Sequence, residues 1–166
     1  MTEPAEIVVR MGELAVSKTA GQVLVSIGLG SCIGLAMLDR ARGVAGLAHV
    51  MLPAGGAATE PLAKFADAAV PALAAGVEAV GARHVRLQAV LVGGAQMFSH
   101  GPNSMLDIGR RNEEAVCSVL SQLRIPVVAT ATRGSSGRTI RVCTDGRVTV
   151  KAAGGDEVAL LMGGAA

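Results

Sequence analysis

Short, apolar, β-rich segments follow one another along this chain, several of them separated by turns too short to hold a crossover helix. Residues 6–10, 23–27, 35–38, 44–52, 85–92, 126–130, 139–143 and 147–151 read as strands, and residues 157–162 add a short last one. Asp145-Gly146 supplies a hairpin turn between two of them. Only two stretches carry a helical period. In residues 61–81, Leu62, Phe65, Ala69, Leu73, Val77 and Val80 recur at threes and fours, with Pro71 expected to kink or split the helix. In residues 108–123, Ala115, Val116, Val119, Leu120 and Leu123 form the apolar side and Asp107 is placed to cap the start. Residues 12–18 read as a turn or irregular piece. Strands that outnumber helices and pair by hairpins predict an α+β domain in place of a doubly wound α/β sheet.

The chain's 166 residues fit one domain, 1–166, with no linker, repeat or low-complexity tract to divide it. Two Phe and no Trp or Tyr mean that the core is packed from Val, Leu, Ile, Met and Ala. That scarcity also argues against a base-stacking nucleic-acid module, and the basic residues Arg138, Arg141 and Arg147 are interrupted by neutral and acidic ones. The acidic N-terminal residues lack the pattern of a secretory signal, and no apolar run reaches a membrane span, so no membrane insertion is expected. Three cysteines (Cys32, Cys117 and Cys143) without metal-like spacing suggest free thiols in a reducing cytoplasm, with neither metal nor organic cofactor. The Gly-Ala tail, residues 163–166, is expected to fray.

The chemistry points to Gly28-Leu-Gly-Ser-Cys-Ile-Gly34 after a buried strand. A dinucleotide-binding loop would need its third glycine one residue earlier, a helix next and an acid about 20 residues on. None of these is present, and no Lys-Ser/Thr follows the glycines as a phosphate loop requires. A nucleophile on a tight glycine turn is another use of such residues. Cys32 sits there, and backbone N–H groups at Gly30, Ser31 and Cys32 could hold an oxyanion. Cys117 on a helix flank and Cys143 in a hairpin strand read as ordinary small apolar residues. His49, alone in an apolar strand, needs a polar partner, and a hairpin would fold it back toward Cys32 to lower the thiol pKa. His84 and His100 lie in polar, loop-like surroundings and read as exposed.

These segments, with Ala48-His-Val-Met-Leu-Pro53, Gly93-Gly-Ala95-x-Met97, Ile108-Gly-Arg-x-Asn112 and Gly137-Arg138, resemble in order the chemoreceptor glutamine deamidases of the CheD family over residues 6–151. The resemblance implies a fold shared with toxin-type deamidases and related cysteine hydrolases: one domain of mixed β-structure, barrel-like or a sandwich, flanked by helices. It implies catalytic Cys32 and His49, with Ser26 as a third polar member that orients His49. It implies hydrolysis of glutamine side chains on the cytoplasmic helices of chemotaxis receptors, releasing ammonia. A CheC-type phosphatase is an implied partner, and a monomer is expected. One segment departs from the family pattern: an Asp-x-Gly-Gly run is replaced by Ala131-Thr-Arg-Gly134, a change expected to affect substrate or partner contact and not chemistry. Two other classes stay open, a CheC-binding regulatory module with weak activity and a cysteine amidase or thioesterase acting on a small molecule.

Overall fold

The computed structural model describes residues 5–56, 60–97 and 107–164. Ten strands and two α-helices lie within them: β1 Glu6–Val8, β2 Leu14–Ser17, β3 Val23–Leu29, β4 Ile33–Asp39, β5 Val44–Val50, α1 Ala66–Ala79, β6 Gln88–Gly93, α2 Ile108–Gln122, β7 Val127–Thr132, β8 Arg138–Cys143, β9 Val148–Ala152 and β10 Glu157–Leu161. The strands form two five-stranded sheets, ordered β1-β3-β8-β9-β10 and β2-β5-β4-β6-β7. Each is mixed, with one parallel pair (β1 with β3, β6 with β7) in an otherwise antiparallel ladder.

Period-two alternation divides the core into two layers. Ala36 and Leu38 of β4, Ala45 and Leu47 of β5, and Val90 and Val92 of β6 meet Leu24, Leu29, Ile140, Val142 and Val148 of the other sheet. The alternate residues Ile33, Leu35, Met37, Ala48, Val50 and Leu91 pack against Leu73 and Val77 of α1 and Val116 and Leu120 of α2. The result is a sandwich with both helices on the outer face of one sheet, the α+β arrangement expected. Because β4 and β5 are covered on both faces, every residue of each is buried, and their sequences read as continuous apolar runs.

Several expectations change. Residues 14–17 form an edge strand, Leu14 opposite Ala48 through Ser17 opposite Ala45; four residues between turns are too few for periodicity to reveal. The first helix starts at Ala66, because residue 65 still belongs to an extended segment bridging Leu52, and Leu62 is 60% exposed. Pro71 leaves that helix unbroken: it is exposed and lies in the second turn, where it interrupts only one early backbone bond. The sixth strand begins at Gln88, after a 3₁₀ turn at His84–Arg86 in which Val85 is 83% exposed.

Asp107 caps α2 as expected, accepting from the Arg110 N–H at 3.1 Å, and Gly146, at φ +94°, closes the predicted hairpin turn. His84 is only partly exposed: its Nε2 lies 2.7 Å from the Leu123 carbonyl and its Nδ1 3.5 Å from Glu78, bridging the ends of the two helices. His100 lies outside the described residues. So do Ala165 and Ala166, whereas the Gly164 N–H is held by the Asp145 carbonyl at 3.0 Å, so this part of the tail is tied to the β8–β9 turn. No helix among the described residues is long and apolar enough to cross a membrane.

Candidate active site

β3 carries an irregularity between Ser26 and Leu29 in its pairing with β8. Ser26 is fully buried, whereas Ile27 is 61% exposed and Gly28 turns the chain at φ +69°. The chain then crosses from one sheet to the other through Gly30, Ser31 and Cys32 and enters β4 at Ile33. Cys32 is half-buried at this crossing.

All three carbonyls of the crossing are held from outside it. Gly30 and Cys32 accept from the N–H groups of Ala95 and Gly94, each at 2.9 Å, and Ser31 accepts from Asn112 Nδ2 at 2.9 Å. The backbone N–H groups of Gly30, Ser31 and Cys32 make no hydrogen bond to a described residue. The peptide planes of the crossing are thereby fixed by their oxygens.

Gly93 supports this geometry. Its φ is +109°, and a Cβ there would drive into the Cys32 carbonyl oxygen. Gly93→Ala is expected to destabilise the fold by about 2–4 kcal/mol, from left-handed strain and the clash together. A urea titration checks this, with the midpoint falling at unchanged slope.

Strand pairing puts three polar side chains, Ser26, Cys32 and His49, on the layer between the two sheets. His49 pairs with Gly34 across the β4–β5 ladder. Alternation puts Cys32, Gly34 and His49 on the face that meets the other sheet, and Cys32 packs on that inter-sheet core. Gly34, opposite His49, presents no side chain to this layer, and Leu29 and Ile140 of the opposite sheet occupy the room, since a Cβ there would lie 2.7 Å from Leu29 Cδ1. Ser26, opposite Ile140 on β3, faces the same layer.

Ser26 does not hydrogen-bond His49. Its Oγ donates to the Val9 carbonyl at 2.7 Å, and His49 Nδ1 lies 3.4 Å from that same oxygen. The two therefore meet through a backbone carbonyl, which no side-chain pattern could announce. A carbonyl only accepts, so this contact assigns the proton to Nδ1 and leaves Nε2 as the basic nitrogen.

Burial pushes the Cys32 thiol up from its ordinary value. Burial also pushes the His49 imidazole down, against the smaller opposite pulls of the Val9 carbonyl and the Glu13 carboxylate. Burial thus favours the neutral form of both the thiol and the imidazole. These directions run against the expectation that His49 lowers the Cys32 pKa, because desolvation disfavours both charged forms, and no hydrogen bond joins Cys32 to His49 in this structure.

A family model described as CheD chemotactic sensory transduction matches residues 51–152, a segment that begins after both Cys32 and His49. A protein of Archaeoglobus fulgidus named "Probable chemoreceptor glutamine deamidase CheD" is 44% identical over 93% of this chain and 98% of its own length. The chain belongs to the CheD family. A relative of the same name from Clostridium botulinum (strain Alaska E43 / Type E3) is 43% identical over 92% of this chain and 96% of its own. Among solved structures, the Bacillus licheniformis hypothetical protein YfiH aligns over 80% of this chain and 51% of that one, at 13% identity and a TM-score of 0.47.

The segments that carry the CheD resemblance gather around Cys32. Gly93, Gly94 and Ala95 hold or make room for its flanking carbonyls. Arg138 Nη1 donates to the Arg133 carbonyl at 2.7 Å and lies 3.5 Å from the Gly93 carbonyl, securing the neighbouring loop. Arg133 takes φ +67°, a conformation that favours glycine, and pairs through Nε with the buried Glu113 carboxylate at 2.9 Å. Residues 98–106, just after Met97, lie outside the described residues. Sequence reasoning gave no role to Asn112 or to Val9. The first carries a weak signal, a buried polar residue on an amphipathic helix; the second acts through its backbone and carries none.

Proposed function

We propose that this protein is a protein-glutamine deamidase: it hydrolyses carboxamides on chemotaxis receptors to carboxylates and ammonia, with Cys32 as nucleophile and His49 as general base. The observation that most supports the reading is the shared inter-sheet face of Cys32 and His49, beside a crossing whose three carbonyls are held from outside it. The names of its CheD relatives supply the substrate class.

In this mechanism His49 Nε2 takes the Cys32 proton as sulfur bonds to the carboxamide carbon, and the N–H groups of Gly30, Ser31 and Cys32 hold the oxyanion. Collapse breaks the carbon–nitrogen bond, and the imidazolium gives its proton to the departing nitrogen, so that ammonia leaves and a thioester remains. Water then loses a proton to His49 and attacks the thioester carbon. Carbon–sulfur cleavage releases the carboxylate, and the imidazolium returns its proton to the thiolate sulfur. One amide and one water become one acid and one ammonia. A neutral resting pair suits this scheme, since the base must be unprotonated before substrate arrives.

Ser26 contributes indirectly, as a positioning residue, by fixing the Val9 carbonyl on which Nδ1 rests. Ser26→Ala removes one neutral hydrogen bond, about 1 kcal/mol, and is expected to lower kcat about fivefold with KM for receptor unchanged. Steady-state kinetics check this, and Ser26→Thr, which keeps the hydroxyl, restores the rate.

A receptor's cytoplasmic helices as substrate support a cytoplasmic site of action. Ammonia release from a purified receptor cytoplasmic fragment, compared with free glutamine and short amides, tests the reading. The fragment is expected to be turned over and the small amides not. Equal turnover of free glutamine would point to a small-molecule amidase instead.

A further inference from the structure

α2 crosses the open end of the β4–β5 ladder, and one residue of its first turns reaches both strands. Paired register stops at Ile33 opposite Val50. Beyond it the strands are joined through Asn112, whose Nδ2 donates to the Ser31 carbonyl at 2.9 Å and to the Met51 carbonyl at 2.8 Å. Ser31 immediately precedes Cys32, and Met51 follows His49 by two residues. The two donors of a single amide thus tie the chain leading into the nucleophile to the chain leaving the base.

Asn112 is fully buried, and its Oδ1 has no hydrogen-bond partner among the described residues. A buried acceptor left in that state is destabilising, so packing alone gives no reason for an asparagine here. A leucine would fill comparable space without the orphaned oxygen, but it would leave two carbonyls unbound. The aspartate isostere would offer no donor and would set a carboxylate against both oxygens. Only a side chain with two N–H donors on one nitrogen satisfies both contacts in this position.

From this we infer that Asn112 is a positioning residue of the reaction: its amide sets the separation of Cys32 from His49 by clamping Ser31 to Met51. The inference rests on the Cys32–His49 reading above. It deepens that reading by assigning the alignment of the pair to a third element of the fold. Near-attack geometry is sensitive to displacements of about 1 Å, and the ladder's last backbone pair lies one residue short of Cys32, where β-pairing no longer holds the register.

The test compares wild type, Asn112→Ala, Asn112→Ser and Cys32→Ala in three measurements: ammonia release from receptor fragment, thermal unfolding, and the pH dependence of Cys32 alkylation by iodoacetamide followed by peptide mass. Asn112→Ala is expected to lower kcat about 10- to 100-fold with KM within about twofold. It is also expected to move the alkylation midpoint down, toward the value of a free thiol, as Cys32 gains solvent. Asn112→Ser keeps one donor; it is expected to be intermediate in both and remains informative if the alanine variant does not fold. A lower Tm with kcat and alkylation midpoint at wild-type values would make Asn112 merely structural and overturn the inference. Full deamidation by Cys32→Ala would instead sink the underlying reading, whatever the Asn112 variants do.

Discussion

Cys32→Ala is expected to reduce ammonia release by about ten-thousand-fold or more while leaving the protein folded. The size follows from covalent catalysis, since removing a nucleophile removes the whole thioester route and leaves only binding and the oxyanion donors. No other thiol can substitute. Cys117 packs toward the layer between the helices and their sheet, away from the inter-sheet face. Cys143 pairs with Val23, whereas Ser26 pairs with Ile140, so Cys143 sits toward the other end of the β3–β8 ladder. The cost to the fold is small, because Cys32 is half-buried and the turn is held by its carbonyls and not by the sulfur; about 1 kcal/mol is expected. Ammonia release and thermal unfolding measured on one preparation check both halves.

His49→Gln is expected to lower kcat by about 100- to 10,000-fold, the range of a lost general base. Its pH behaviour makes the prediction sharper. In wild type, burial lowers the His49 pKa below the ordinary 6.5. Activity therefore rises as His49 deprotonates at a pH below that value and is already near its plateau at neutrality. The alkaline limb is displaced upward, because burial raises the Cys32 pKa. In the glutamine variant the acidic limb disappears. Stability carries the same signature with its own sign. A folded-state pKa lowered by burial gives stability that is present above about 6.5 and lost as pH falls through the folded value. Wild type is thus expected to weaken in mild acid by a contribution that His49→Gln lacks. Rate profiles and urea midpoints between pH 5 and 8 measure both effects.

The strand series, the hairpins and the two helices were legible because period-two and period-3.6 patterns survive wherever an element is buried on one face or both. β4 and β5 stood out as apolar runs for the same reason. The edge strand Leu14–Ser17 and the late start of β6 were illegible. The first is short and half-buried, and the second is preceded by residues of strand-like type that solvent-exposed structure happens to use. Pro71 shows the opposite error, a strong local rule overridden by an exposed position early in a helix. At the site, Cys32 and His49 could be singled out because a thiol in a glycine turn and an imidazole in an apolar strand are both costly or unusual. What surrounds them was hidden. The Val9 carbonyl and the N–H groups of residues 30–32 belong to the backbone, and burial moves both pKa values against the expected ionisation of the pair. Desolvation depends on neighbours brought from β6, β8 and α2, none of them close in sequence.

Trapping the covalent intermediate tests the central claim most directly. Wild-type protein mixed with a receptor fragment, quenched in acid during turnover and digested, is predicted to yield one adduct: the Cys32 peptide joined as a thioester to a receptor glutamine-derived acyl group, with the loss of one ammonia. Hydroxylamine should release it, and His49→Gln should form it slowly. Continued deamidation with no adduct, or an adduct on Cys117 or Cys143, would contradict the account.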